Sequence, residues 1–289
     1  MNPPSDDPTS LLQRVWGSFV GRCVRRFVTM EGIDRCLVLS SQAFTALIPL
    51  LILVSTLAPP GRPDVVARSI IRKFGLSGGS ADAVDQLFHI PGEATTGVSV
   101  ASAVLLVYSG VSFTRRLQKM YLAAWRQDKA GVRGGLFAAL GLLALILEVL
   151  VVYGITSFVR HLPVGWLLTL PLSAVVGLVL WTSIPYLLLN RQVHWRRLLV
   201  AGGLSSTAMA VYGTATSFYM PGLVDRYTSD FGLFGVTIAI IGWLLAAAGI
   251  VVASAAIGAE FDESVEPWAL RLKVRYRLGD AAVPHAAPG

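Results

Sequence analysis

Between Arg35 and Arg62 the chain runs for 26 residues without an Asp, Glu, Lys or Arg. A helix that crosses a bilayer needs only about 20 apolar residues. Five further windows of this kind follow at 94–114, 134–159, 162–190, 198–224 and 231–259, and only 134–159 contains a charge, Glu148. With the first span at about 36–58, the chain reads as an all-α polytopic membrane protein with six transmembrane helices. The window 94–114 is the shortest at 21 residues and is rich in Ser and Thr, which suits a buried or tilted helix. Composition agrees: 54% of residues are hydrophobic and 14% charged, with a mean hydropathy of +0.63. Soluble domains carry roughly 25% charged residues.

Orientation follows from the placement of Lys and Arg, which favour the cytoplasmic side. Segments 1–35, 115–133, 191–197 and 260–289 hold 18 of the 24 basic residues, so both termini are expected in the cytoplasm. That placement accounts for the net charge of +7 without nucleic acid, which would want a soluble basic face or aromatic platforms. Cys23 and Cys36 are too few for a disulfide framework and are expected to be free thiols.

Outside the spans the expected organisation is an amino-terminal segment 1–35, a membrane domain 36–259 and a basic tail 260–289. Residues 1–35 have no compact apolar core followed by a small-residue cleavage site, so they are expected to be retained. Within them Leu11, Leu12, Val15, Trp16, Phe19, Val20, Cys23, Val24, Phe27 and Val28 form apolar pairs every four residues, with arginines between. This predicts an amphipathic helix that either lies on lipid or packs against the bundle. The connection 59–93 is split at Ser77-Gly-Gly-Ser80 and predicts two short amphipathic helices on the external face. Leu117, Met120, Tyr121, Ala124 and Trp125 predict a cytoplasmic extension of the second span, ended by Gly131 and Gly134. In the tail, Leu270 to Leu278 alternates with the period of a strand, but a lone strand has no sheet to join. A juxtamembrane basic stretch touching anionic headgroups is expected instead, followed by a disordered end.

Helices in lipid associate through close contact of small residues. Gly202, Ser206, Ala210 and Thr214 form such a ladder in the fifth span, and Ala246, Gly249, Ala253, Ala256 and Gly258 face it from the sixth. These two helices are expected to pack together.

Candidate chemistry is sparse. His89, His161, His194 and His285 fall in four different segments without ligand-like spacing, and there is no phosphate loop, nucleophile elbow or His-Glu-x-x-His helix. The expectation is a protein that is not an enzyme and needs no metal or cofactor. Glu148 is the sharpest single signal, fifteenth in its 26-residue window and so near mid-membrane. An ionisable group there is a functional hypothesis by default. It has no basic partner in any span, and a hydrogen bond to Gln42, Tyr153, Tyr186 or Tyr212 would suit its neutral form. A structural acid and a proton-coupling acid are both open readings. Pro49 and Pro185 interrupt their spans and free the carbonyls of Thr45 and Trp181. Kinks that serve packing are favoured there over a cavity lining. Glu148, Gln42, Pro49 and Pro185 are thus the candidate substrate pathway.

The segments Ser41-Gln-Ala-Phe-Thr-Ala-Leu-Ile-Pro-Leu50, Tyr108-Ser-Gly-Val-Ser-Phe113, His194-Trp-Arg-Arg-Leu-Leu199, Phe231-Gly-Leu-Phe-Gly235 and Gly258-Ala-Glu260 keep a shared order and spacing. In these the chain resembles the YihY/BrkB family of bacterial inner-membrane proteins over about residues 30 to 262. The resemblance implies six spans and a plasma-membrane location, with Pro49, Gly258 and Glu260 as matching positions. Members have been labelled ribonuclease-like, and the absence of metal-ligand clusters speaks against that activity here. A transporter of lipid or envelope components is the leading expectation, with a non-transporting scaffold or envelope-integrity factor as the alternative. Membrane lipids are the expected partners, and a homo-oligomer is allowed for.

Overall fold

The computed structural model describes residues 16–57, 96–127 and 165–276. Glu148, Tyr153, the span 134–159, the connection 59–93 and the end of the tail lie outside the described residues. Those described form seven helices and no strand: α1 Phe19–Thr29, α2 Gly32–Leu57, α3 Thr96–Ala124, α4 Gly165–Leu188, α5 Trp195–Phe231, α6 Leu233–Glu263 and α7 Pro267–Tyr276. Two are long and apolar enough to cross a membrane by length and composition, Trp195–Phe231 and Phe234–Glu263. At 1.5 Å per residue the 31-residue α6 is about 46 Å long, beyond the roughly 30 Å of a hydrocarbon core. Its last turn carries Glu260, Asp262 and Glu263.

The chain divides into two compact units, one of residues 1–33, 118–206 and 251–289, the other of 34–117 and 207–250. In the first unit, α1 starts where the Ser18 side chain accepts a hydrogen bond from the Gly21 N–H at 3.2 Å. It buries Gly21, Cys23 and Arg26 and leaves Val20, Val24 and Val28 exposed. The apolar pairs seen in the sequence are thus split: Cys23 and half-buried Phe27 face protein while the valines beside them do not. The end of α3 buries Met120, Tyr121, Ala124 and Trp125. This extension stops at Ala124 and not at the expected Gly131 or Gly134. Arg126 takes a left-handed φ of 50°, and the Gln127 N–H closes the turn on the Leu122 carbonyl at 2.9 Å. The buried Gln118 donates to the Leu188 carbonyl at 2.8 Å, satisfying an end of α4 that has no helical partner.

Small residues set the helix contacts of this unit. A Cβ on Gly258 of α6 would stand 2.7 Å from the Ala201 Cα of α5. A Cβ on Gly202 would stand 3.1 Å from the Thr182 Cα of α4, and one on Gly177 would meet the Ser206 hydroxyl at 2.7 Å. The first half of the expected ladder therefore touches α4, while Gly258 and Ala201 carry the approach of α5 to α6.

The tail residues 267–276 are helical despite their alternating pattern. Pro267 opens α7 where no N–H is needed, and its inward residues Ala269 and Lys273 are one turn apart. Lys273 donates to the Asp262 and Ser264 carbonyls, both at 2.7 Å, tying α7 to the end of α6.

In the second unit α5 turns into α6 at Gly232, whose φ of 61° favours glycine. Met220, Val224, Val236 and Ala239 form the buried cluster beside this turn. Next to it Tyr212 donates to the Trp243 carbonyl at 2.9 Å, Trp243 donates to the Thr216 hydroxyl at 3.2 Å, and Tyr219 donates to the Tyr212 hydroxyl at 3.2 Å. Tyr212, one of the expected partners of Glu148, has its proton committed here.

Candidate functional site

Among the described residues, a concentration of paired charge lies in the first unit, where α6 ends. The α6 terminus carries Glu260, Asp262 and Glu263 at the negative end of its helix dipole, and α5 begins with Arg196 and Arg197 at the positive end of its own. Both placements oppose the dipole preference, so these charges need partners from elsewhere.

Helix α1 supplies two. Arg22 and Arg26 are one turn apart and present guanidinium groups on one side. Arg22 pairs with Glu260 at 2.8 Å and with Glu266 at 2.7 Å. Arg26 is only 3% exposed. It donates from Nε to the Ala124 carbonyl at 2.9 Å, from Nη1 to Glu260 at 3.1 Å and to Glu263 at 2.9 Å, and from Nη2 to the other oxygen of Glu263 at 2.5 Å. A planar five-donor fork suits such a multidentate position, which a lysine could not fill. At the rim Arg126 pairs with Glu263 at 3.1 Å and Arg197 with Asp262 at 2.7 Å. Glu266 also accepts from the Trp268 indole, and Phe19 packs edge-on against that ring at 5.2 Å.

Burial disfavours the charge of Arg26, but the hydrogen bonds and charges of Glu263 and Glu260 outweigh it and hold its pKa above the ordinary value. The hydrogen bond from Arg22, followed by that from Trp268, keeps Glu266 below the usual carboxylate range. Burial, aided by the charge of Glu260, pushes the Cys23 thiol up to about 11, leaving it a poor nucleophile at neutral pH.

The residues singled out from sequence are placed as follows. Gln42 is half-buried and Pro49 buried in α2, which continues through the proline to Leu57, and both belong to the second unit. Pro185 is fully buried in α4, in the first unit. Gly202, Ser206 and Gly258 also lie in the first unit, whereas Ala210 is exposed and lies in the second. Among the described residues no group of three or more His, Cys, Asp or Glu is arranged to hold a metal ion. The ion-pair network was not foreseen. Its signals were the one-turn spacing of Arg22 and Arg26 and the three-residue spacing of Glu260, Glu263 and Glu266, yet no local pattern joins partners 238 residues apart.

Among known proteins, the family model described as Virulence factor BrkB matches residues 24–271. That stretch includes Arg26, Arg126, Arg197 and all four carboxylates of the network. No curated protein and no solved structure matches the chain.

Proposed function

From the premise that this chain belongs to the virulence factor BrkB family, we propose that it is a multi-pass protein of the bacterial inner membrane that translocates a lipid or envelope component. One observation carries the reading: the nearly complete burial of Arg26 between Glu260 and Glu263. A buried ion pair is a poor stabilising device, because desolvation consumes most of the Coulomb gain. Its use is in specifying one arrangement that can be exchanged for another, as a translocator alternating between states requires. In this reading Arg22 and Arg26 latch α1 to the end of α6, and release of the latch accompanies turnover. Glu148 is a second candidate, as a mid-membrane acid that exchanges protons with a gradient. The protein is proposed to act without bond chemistry.

A non-transporting scaffold is the second reading, favoured by the close approach of Gly258 to Ala201 and by the number of elements the network ties together.

The two readings part in a vesicle assay. The purified chain is reconstituted with fluorescent phospholipids in one leaflet and small solutes in the lumen. A translocator moves one of them faster than protein-free vesicles do, and it slows when Arg26 is locked to α6 by a cross-link. A chain that moves neither at any pH is a scaffold. Glu148→Gln reports on coupling: a variant that folds normally and keeps its full pH response removes Glu148 from the mechanism.

A further inference from the structure

The ion pairs of Arg22 and Arg26 lie on one side of α1, and the opposite side of α1 and the exposed residues of the adjoining α7 have a composition of their own. Trp16 before α1 is 51% exposed, and on α1 Val20, Val24 and Val28 are 67%, 47% and 67% exposed, one turn apart on a single face. Arg25 stands exposed beside them. On α7, Trp268, Leu270, Leu272 and Val274 are exposed around Arg271, and Val265 just before the helix is 81% exposed. The two helices adjoin through Phe19 against Trp268 and Arg22 against Glu266. Neither has an acidic residue, and every charge on either is basic.

We propose that the outward faces of α1 and α7 form one platform that lies in the bilayer interface and binds anionic lipid headgroups. The valines and Trp268 would enter the headgroup and acyl boundary while Arg25 and Arg271 engage phosphate. Charge complementarity selects this occupant: Arg22, Arg26 and Lys273 are taken by carboxylates and carbonyls on the inner side, while exposed valines, Trp268, Arg25 and Arg271 stand outward with no acidic residue on either helix. A helix with apolar residues flanked by arginine and no acid matches an anionic membrane surface. The platform does not depend on transport, because a scaffold could carry it equally well.

The test uses the full chain with Val24→Cys, labelled with an environment-sensitive dye and reconstituted in phosphatidylcholine vesicles containing about 30% phosphatidylglycerol. The chain without that substitution is the labelling control, since Cys23 and Cys36 are buried. Bromine-bearing phosphatidylglycerol should quench the dye more strongly than bromine-bearing phosphatidylcholine, with a preference on the order of tenfold. The preference should shrink towards unity in R25Q/R271Q, persist in R25K/R271K, and weaken as salt rises from about 0.05 to 0.5 M. Equal quenching by both lipids in the parent chain overturns the headgroup assignment. A dye that reports bulk water overturns the platform, as does a dye shielded from both lipids in a chain that proves dimeric. Failure here leaves the vesicle transport assay unaffected, so the two proposals fail separately.

Discussion

Arg26 is the most buried charged side chain among the described residues, 3% exposed and bonded to the Ala124 carbonyl and two carboxylates. Replacing it with Met leaves Glu260, itself 8% exposed, with only the less buried Arg22 as partner, and strips Glu263 of its bidentate one. The loss should be about 3–5 kcal/mol, read as a lowered unfolding midpoint in detergent. Arg126→Gln is the contrast: that side chain is 67% exposed, and an exposed pair contributes at most about 1 kcal/mol. If both variants unfold alike, the network is not organised around Arg26. Glu263, held low by the Arg26 hydrogen bond, and Glu266 both contribute to the pH response, and Glu266 is the one that can be replaced without touching Arg26. The Glu266 pKa is depressed in the folded chain by the Arg22 and Trp268 hydrogen bonds, so its contribution is fully present above the unfolded value. That contribution is lost as pH falls through the lower, folded value. The melting temperature should hold from pH 8 to about 5 and decline below about 4, and Glu266→Gln should make that decline shallower.

At the scale of elements, the contact between α5 and α6 depends on the absence of a side chain at Gly258. A methyl group there would stand 2.7 Å from the Ala201 Cα, which belongs to a helix backbone and cannot rotate away. Gly258→Ala should therefore destabilise by about 1–3 kcal/mol. Gly249, on the same helix, has nothing within 4 Å of its own Cβ position. Gly249→Ala should be neutral or stabilising, because alanine is the better helix former. Equal melting temperatures for the two variants would show that α6 is not held at Gly258. The small-residue ladder was visible in the sequence as a four-residue period, but the period does not say which neighbour each rung meets. Gly202 and Ser206 meet α4 at Thr182 and Gly177, where the lack of a glycine side chain on one helix or the other allows the close approach.

For the whole molecule, the distribution of basic residues makes a claim about sides. With 18 of 24 in segments assigned to the cytoplasm, a reporter active only outside the cytoplasm should be silent when fused after residue 265 and active when inserted near Gly79. Activity at both positions would break the arrangement with six spans and both termini inside. The helical class and the membrane character were legible because they depend on local quantities, the length of charge-free runs and the cost of unpaired backbone groups in lipid. The helical state of residues 267–276 was not. Their alternating pattern holds no helical period, and the helix is fixed by Lys273 reaching back to the carbonyls of Asp262 and Ser264. The same limit applies to the charges. Arg22, Arg26, Glu260 and Glu263 each read as ordinary flanking residues, and only the meeting of α1 with the end of α6 turns them into a buried network. Apolar length is a property of one segment and survives in the sequence, whereas the pairing of charges 234 to 244 residues apart exists only once the segments have packed.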